Sequence, residues 1–166
     1  MARGLLSLVS MSARATKAAT LPEHYLEPSG TWPAGARGQA ARALIADDDP
    51  QLLRALARIL RDAGLQVQTA DSCREALELV ASESFDVIVT DLFMPDMSGT
   101  EILAMARERD ACVPVVMISG DSGICGRLDE LDDHSLHFLA KPFSGRDLSH
   151  LVCRLVGLPH DHKVAQ

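Results

Sequence analysis

Aromatic side chains are scarce in this sequence: one Trp, one Tyr and four Phe among 166 residues. That scarcity excludes the stacking platforms on which single-stranded nucleic acids are held. Basic residues are in deficit too. Sixteen Lys and Arg stand against 23 Asp and Glu, and a formal net charge of −7 opposes non-specific attraction to nucleic acid or to an anionic membrane surface. No apolar run approaches the roughly 18 to 20 residues that a membrane-spanning helix needs. The four cysteines, Cys73, Cys112, Cys125 and Cys153, show no C-x-x-C spacing. A disulfide framework is therefore not indicated, and reduced thiols in a cytoplasmic protein are expected. The stretch Gly4 to Met11 follows Arg3 and is mildly apolar, but it is too short and too interrupted by serines for a signal peptide.

What is present falls into two unlike parts. Residues 1–40 hold Pro22, Pro28, Pro33, Gly30, Gly35 and Gly38, four Lys/Arg against two Glu, and no sustained periodicity. They read as a poorly ordered extension. From Ala41 to about residue 157, short apolar runs alternate with amphipathic stretches. Ala43 to Ala46 reads as a strand. Leu52, Leu56, Ile59, Leu60 and Ala63 then recur at helical spacing, and Gly64 is a natural stop. Leu65 to Ala70 reads as a second strand, and Ser72 with Glu75 as a capping box opening the second helix.

Phe85 to Thr90 is a near-continuous apolar run, as in a parallel strand covered on both faces. A helix is expected from about Thr100 to Arg109, a fourth strand over Val113 to Ile118, and a fifth over Leu136 to Ala140. Ser144 and Asp147 cap a last helix bearing Leu148, Leu151, Val152 and Leu155. Residues 120–135 are Gly-rich and then acidic, and support only a short helix. Residues 158–166 make a short tail. Five β-α repeats imply a doubly wound α/β domain, a parallel sheet with helices on both faces.

The acids fall where such a sheet places its sites. Asp47, Asp48 and Asp49 follow the first strand and Asp91 follows the third. In the flavodoxin-like order 2-1-3-4-5, those strands are neighbours at the point where the winding reverses, so their carboxylates converge. Crowded carboxylates repel, and a hard divalent cation, Mg²⁺ or Mn²⁺, would relieve them. Asp49 is needed as a helix cap, but the other acids are surplus to capping. Ser119 ends the fourth strand and Lys141-Pro142 ends the fifth, adding a hydroxyl and an ammonium to the same rim. Acids, hydroxyl and ammonium together suit phosphoryl transfer to a carboxylate.

The stretches ALIADDDP, DVIVTDLFMPDMSG, VVMISG and FLAKPF resemble the receiver domain of two-component response regulators, over about residues 41–157. The resemblance implies that Asp47 and Asp48 are the acidic metal pair and Asp91 the phosphoacceptor. It makes the Phe93 backbone carbonyl a further metal ligand, Ser119 the switch hydroxyl and Phe138 the switch aromatic. Lys141 becomes the phosphate-binding lysine, with a cis bond to Pro142. Two departures stand out. Residues 121–135 lack the usual fourth-helix pattern and resemble receivers fused to sensor kinases. Phe93 is bulky where many receivers are small or polar, and with Asp121 it bears on how water reaches the phosphoryl group.

The implied activity is a Mg-dependent transfer from the phosphohistidine of a histidine kinase or histidine phosphotransfer protein onto Asp91. The domain would catalyse only its own phosphorylation and dephosphorylation, then signal by contact to an unknown downstream protein, without direct nucleic-acid or membrane contact. A relay intermediate that passes phosphate to another histidine protein is the alternative, with a non-phosphorylated scaffold behind it. An aspartyl-phosphate phosphatase would want an acid where Phe93 stands, and a flavodoxin-like cofactor binder would want a Gly-rich phosphate loop after the first strand. His134, His137, His150, His160 and His162 form no convincing constellation.

Overall fold

In the computed structural model, residues 40–121 and 133–159 are described. The readings of residues 1–39, of most of 120–135 and of 160–166 lie outside them. The elements are β1 (Arg42–Ala46), α1 (Pro50–Asp62), β2 (Gln66–Ala70), α2 (Cys73–Ser82), β3 (Val87–Asp91), α3 (Gly99–Arg109), β4 (Val115–Ser119), β5 (Leu136–Ala140) and α4 (Gly145–Leu155). All four strand pairings are parallel, in the order β2-β1-β3-β4-β5. The alternation of apolar runs predicts the parallel sheet; the flavodoxin-like order is assumed and not read from the runs, and the structure has it.

Register carries the strand ends to one edge. Ala46 pairs with Ala70 and Thr90, Asp91 with Ile118, and Ser119 with Ala140. The residues that follow β1 and β5, and the last residues of β3 and β4, therefore share a rim. All five positions of β3 and of β4 are buried, as a central strand covered on both faces requires. Alternate side chains feed two separate cores. Ala43, Ile45, Val87, Val89, Val116 and Ile118 pack with α1 and α4. Leu44, Ala46, Ile88, Val115 and Met117 pack with α2 and α3. Each fully buried aliphatic side chain contributes about 1.5–3 kcal/mol.

Helix ends follow local chemistry. Asp49 accepts from the Gln51 and Leu52 N–H groups at the start of α1, with Pro50 in the first turn. The stop after α1 is Gly64, at φ +93°. Ser144 and Asp147 form a complete capping box on α4. The box expected on α2 is only half made. Ser72 accepts from Glu75 N–H, but the Glu75 carboxylate accepts from Asp71 N–H instead of returning to Ser72.

Three strands begin later than their apolar runs. Leu65 N–H is spent closing α1 on the Leu60 carbonyl, so β2 starts at Gln66. Before β3, Asp86 N–H still donates to the Arg42 carbonyl, but the Arg42 N–H goes to the Asp86 side chain and not to a main-chain carbonyl. Pro114 has no N–H to donate, and although its carbonyl accepts from Ile88, β4 starts at Val115.

Candidate functional site

Asp47, the residue after β1, is buried at 1% exposure. Its main-chain N–H donates to the Ala70 carbonyl, continuing the sheet, and its Oδ1 accepts from Asp49 N–H at 2.8 Å. The same residue that caps α1 thus also orients Asp47. Asp47 Oδ2 is buried with no hydrogen-bond partner. Asp48 is exposed at the mouth of the site, and Asp91 closes β3 at 7% exposure. One carboxylate oxygen from each of Asp47, Asp48 and Asp91 lies within 4.8 Å of the others.

Lys141 comes from beyond β5, where its main-chain N–H donates to the Ser119 carbonyl. Its ammonium forms a direct ion pair with Asp91 Oδ2 and stands 3.9 Å from Asp47 Oδ2, too far for a hydrogen bond. The Lys141-Pro142 peptide bond is cis. Asp91 Oδ1 accepts from Phe93 N–H at 2.9 Å, so both Asp91 oxygens are engaged and aimed.

Burial pushes the Asp47 carboxyl up from the ordinary carboxylate range. The Asp49 N–H and the Lys141 charge oppose that rise, and the charges of Asp91 and Asp48 add to it. Three carboxylates against one ammonium leave two negative charges in excess, the charge of one divalent cation. An orphaned, buried carboxylate oxygen beside that excess fits a hard, oxygen-seeking cation. Asp47, Asp48 and Asp91 are the residues that could hold it.

Ser119 is fully buried at the end of β4, and its hydroxyl accepts from Asp121 N–H at 3.0 Å. Phe138 is half-buried on β5 and packs on the α2/α3 core. The Phe93 side chain is 57% exposed, and Met97 in the same loop is 38% exposed. No cluster of three metal-ligating side chains other than Asp47, Asp48 and Asp91 occurs among the described residues.

Two residues important to this rim were not singled out from sequence. Gly99 packs against the Asp91 carbonyl, and Asp96 reaches across to the start of α2. A Gly after a helix-capping Ser was a usable signal for the first. The second joins segments more than twenty residues apart and left no local signature. Among the described residues, no helix is long and apolar enough to cross a membrane.

Comparison with known proteins agrees with this geometry. Residues 43–153 match the family model described as response regulator receiver domain. The transcriptional regulatory protein TrcR of Mycobacterium tuberculosis is 33% identical over 123 residues, covering 74% of this chain and 47% of its own length. The sensor histidine kinase TmoS of Ectopseudomonas mendocina is 32% identical over 82% of this chain and 15% of its own. A CheY-like receiver domain protein from Methanospirillum hungatei superposes with a TM-score of 0.66 at 28% identity, covering 72% of this chain and 95% of that one. The chain spans about half, or less, of the length of the first curated relatives it matches. With its sheet order, its acidic triad and its matched residues, the chain belongs to the response regulator receiver domain family.

Proposed function

We propose that this protein is a phosphoacceptor signalling domain in which Asp91 takes a phosphoryl group from a phosphohistidine. The observation that carries the reading is the ion pair between Lys141 and Asp91 beside the carboxylates of Asp47 and Asp48. A carboxylate oxygen of Asp91 bonds to phosphorus as the phosphorus–nitrogen bond breaks; the bonding pair returns to that nitrogen, and the histidine, protonated on its other ring nitrogen, departs as neutral imidazole. The Phe93 N–H orients the attacking carboxylate, and Lys141 is placed to move from Asp91 to a phosphoryl oxygen as charge shifts outward. Asp47, Asp48, Asp91 and the Phe93 carbonyl would hold Mg²⁺ or Mn²⁺, which supplies charge neutralisation for the transferring group.

Ser119 and Phe138 are the proposed switch. The Ser119 hydroxyl, which accepts from Asp121 N–H, donates its own proton to a phosphoryl oxygen, and Phe138 repacks on the α2/α3 side. The equilibrium moves only as far as the phosphoryl group favours one packing over the other. The donor is a histidine kinase or a phosphotransfer protein. It would seat on the apolar groove formed by Leu52, Ala55 and Ile59 of α1 with Pro142 and Phe143. Lys141 lines that groove and also pairs with Asp91, so a partner bound there brings its histidine to the acceptor.

The test is incubation with acetyl phosphate and Mg²⁺, read by intact mass. Wild type should gain one phosphoryl adduct, sensitive to chelator, and Asp91→Asn should gain none. An adduct absent from both would favour a scaffold that no longer takes phosphate.

A further inference from the structure

The loop from Leu92 to Ser98 joins β3 to α3 and contains the Phe93 backbone. Its base is closed on itself: Gly99 N–H and the Ser98 hydroxyl both donate to the Leu92 carbonyl, and Phe93 bridges to Ser98. Its apex is tied to a different element. Asp96 Oδ1 accepts from Cys73 N–H at 3.2 Å, and Asp96 Oδ2 accepts from Arg74 N–H at 3.1 Å. Beside this clamp, the buried Cys73 thiol donates to the Ser98 carbonyl at 3.5 Å.

The first amides of a helix have no partner within it and carry partial positive charge, so a carboxylate is the fitting acceptor. Here the acceptor comes from 22 and 23 residues along the chain. The helix already has its own capping residue in Ser72. Ser72 accepts only from Glu75 N–H, so Asp96 takes the two amides that Ser72 leaves, and because it comes from another segment it also gives the loop a fixed position. The Arg74 N–H, foremost, and the Cys73 N–H hold its carboxyl below the usual carboxylate range, so it stays charged for that purpose. Met94, in the same loop, is buried in the α2/α3 core.

We propose that Asp96 is a positioning residue for the phosphorylation site: by clasping the start of α2 with both oxygens it fixes the β3–α3 loop, and with it the Phe93 backbone that orients Asp91 and faces the cation. This inference rests on the phosphoacceptor reading. The clasp couples two places. A looser loop offers the cation a less organised ligand set, and a bound cation in turn steadies the loop and the amides it grips. Linkage makes the two effects equal in free energy.

The experiment uses the full chain and Mn²⁺ as probe, with free ion measured by electron paramagnetic resonance. Residues that hydrogen-bond metal ligands are worth about 10- to 100-fold in affinity; Asp96 acts one step further out, through the loop, so the dissociation constant should rise about tenfold, the low end, in Asp96→Ala and by less in Asp96→Asn. Glu75→Gln weakens the same helix end without touching the loop, and should leave the constant within about twofold of wild type. A second measurement serves even if Asp96→Ala folds poorly. Mn²⁺ would broaden amide signals, so hydrogen exchange is followed with Mg²⁺. The Cys73 and Arg74 amides should exchange more slowly with Mg²⁺ bound in wild type, and this dependence should weaken in Asp96→Asn. A folded Asp96→Ala that binds Mn²⁺ as wild type does, or amides indifferent to Mg²⁺ in wild type, overturns the clasp alone. Wild type that binds no Mn²⁺ overturns the phosphoacceptor reading, and the clasp with it.

Discussion

A β-carbon added to Gly99 would lie 2.4 Å from the carbonyl oxygen of Asp91 and 3.1 Å from Thr90 Oγ1. That carbonyl is held in place, since it accepts the Thr90 hydroxyl at 2.9 Å. The start of α3 therefore rests directly on the backbone of the acceptor residue. Gly99→Ala must displace main chain and not a flexible side-chain tip. It should lose about 1–3 kcal/mol of stability, the usual cost of overfilling a packed site. It should also slow phosphoryl uptake from acetyl phosphate. Urea unfolding and timed intact-mass measurements check both, and an unchanged pair of values refutes the packing argument.

The orphaned oxygen of Asp47 makes a second expectation. Its carboxyl is pushed up by burial, so its ionised form opposes folding when no cation is bound, and the opposition eases as pH falls. Asp47→Asn should therefore unfold at a higher temperature than wild type in chelator. With Mg²⁺ at about a hundred times its dissociation constant, wild type should gain about 2.7 kcal/mol and Asp47→Asn much less. Thermal melts with and without Mg²⁺ decide it. A variant that responds to Mg²⁺ as fully as wild type would remove Asp47 from the cation site.

His137 gives the acid limb of stability. Burial lowers its imidazole from 6.5 to about 4, helped by Arg154 and Arg107 and opposed by Asp133. The folded state thus resists a proton that the unfolded chain accepts. The associated stability is fully present above about pH 6.5 and drains away as pH falls towards 4. His137→Gln should flatten that decline in urea titrations between neutral pH and pH 5. Asp47 works in the opposite direction, so the comparison is between wild type and variant at each pH. Parallel curves would mean that His137 does not titrate as its burial requires.

Ala55 separates docking from chemistry. It is exposed on α1 in the groove that Lys141 also lines. Ala55→Arg should slow phosphotransfer from a cognate histidine protein by about tenfold, the effect of losing roughly 1.4 kcal/mol of contact. Uptake from acetyl phosphate, which needs no docking, should stay as in wild type. Equal loss with both donors would place the defect in the site and not in the groove.

Local chemistry made much of this molecule readable in advance. The Asp49 cap, the Gly64 stop and the Ser144–Asp147 box all act within a few residues, and the structure realises each of them. The apolar runs of β3 and β4 mark strands covered on both sides. The meeting of Asp47, Asp48 and Asp91 followed once β1 and β3 were taken as neighbours, a pairing that came from the fold and not from spacing. What stayed hidden depends on distant partners. The Glu75 carboxylate had two nearby amides to choose from and took Asp71 N–H. The Asp86 side chain drew the Arg42 N–H away from a main-chain acceptor. The closeness of Gly99 to Asp91, and the reach of Asp96 to α2, exist only after the sheet has assembled.

The sheet divides the interior into two compartments that share no side chains. The groove of Leu52, Ala55 and Ile59 opens on the α1 and α4 side, while Phe138 leans on the other. The proposed donor groove and the proposed switch aromatic thus lie on opposite faces of the sheet. Between the two faces lies the carboxyl rim, where Asp91 and Ser119 end β3 and β4 and Lys141 follows β5.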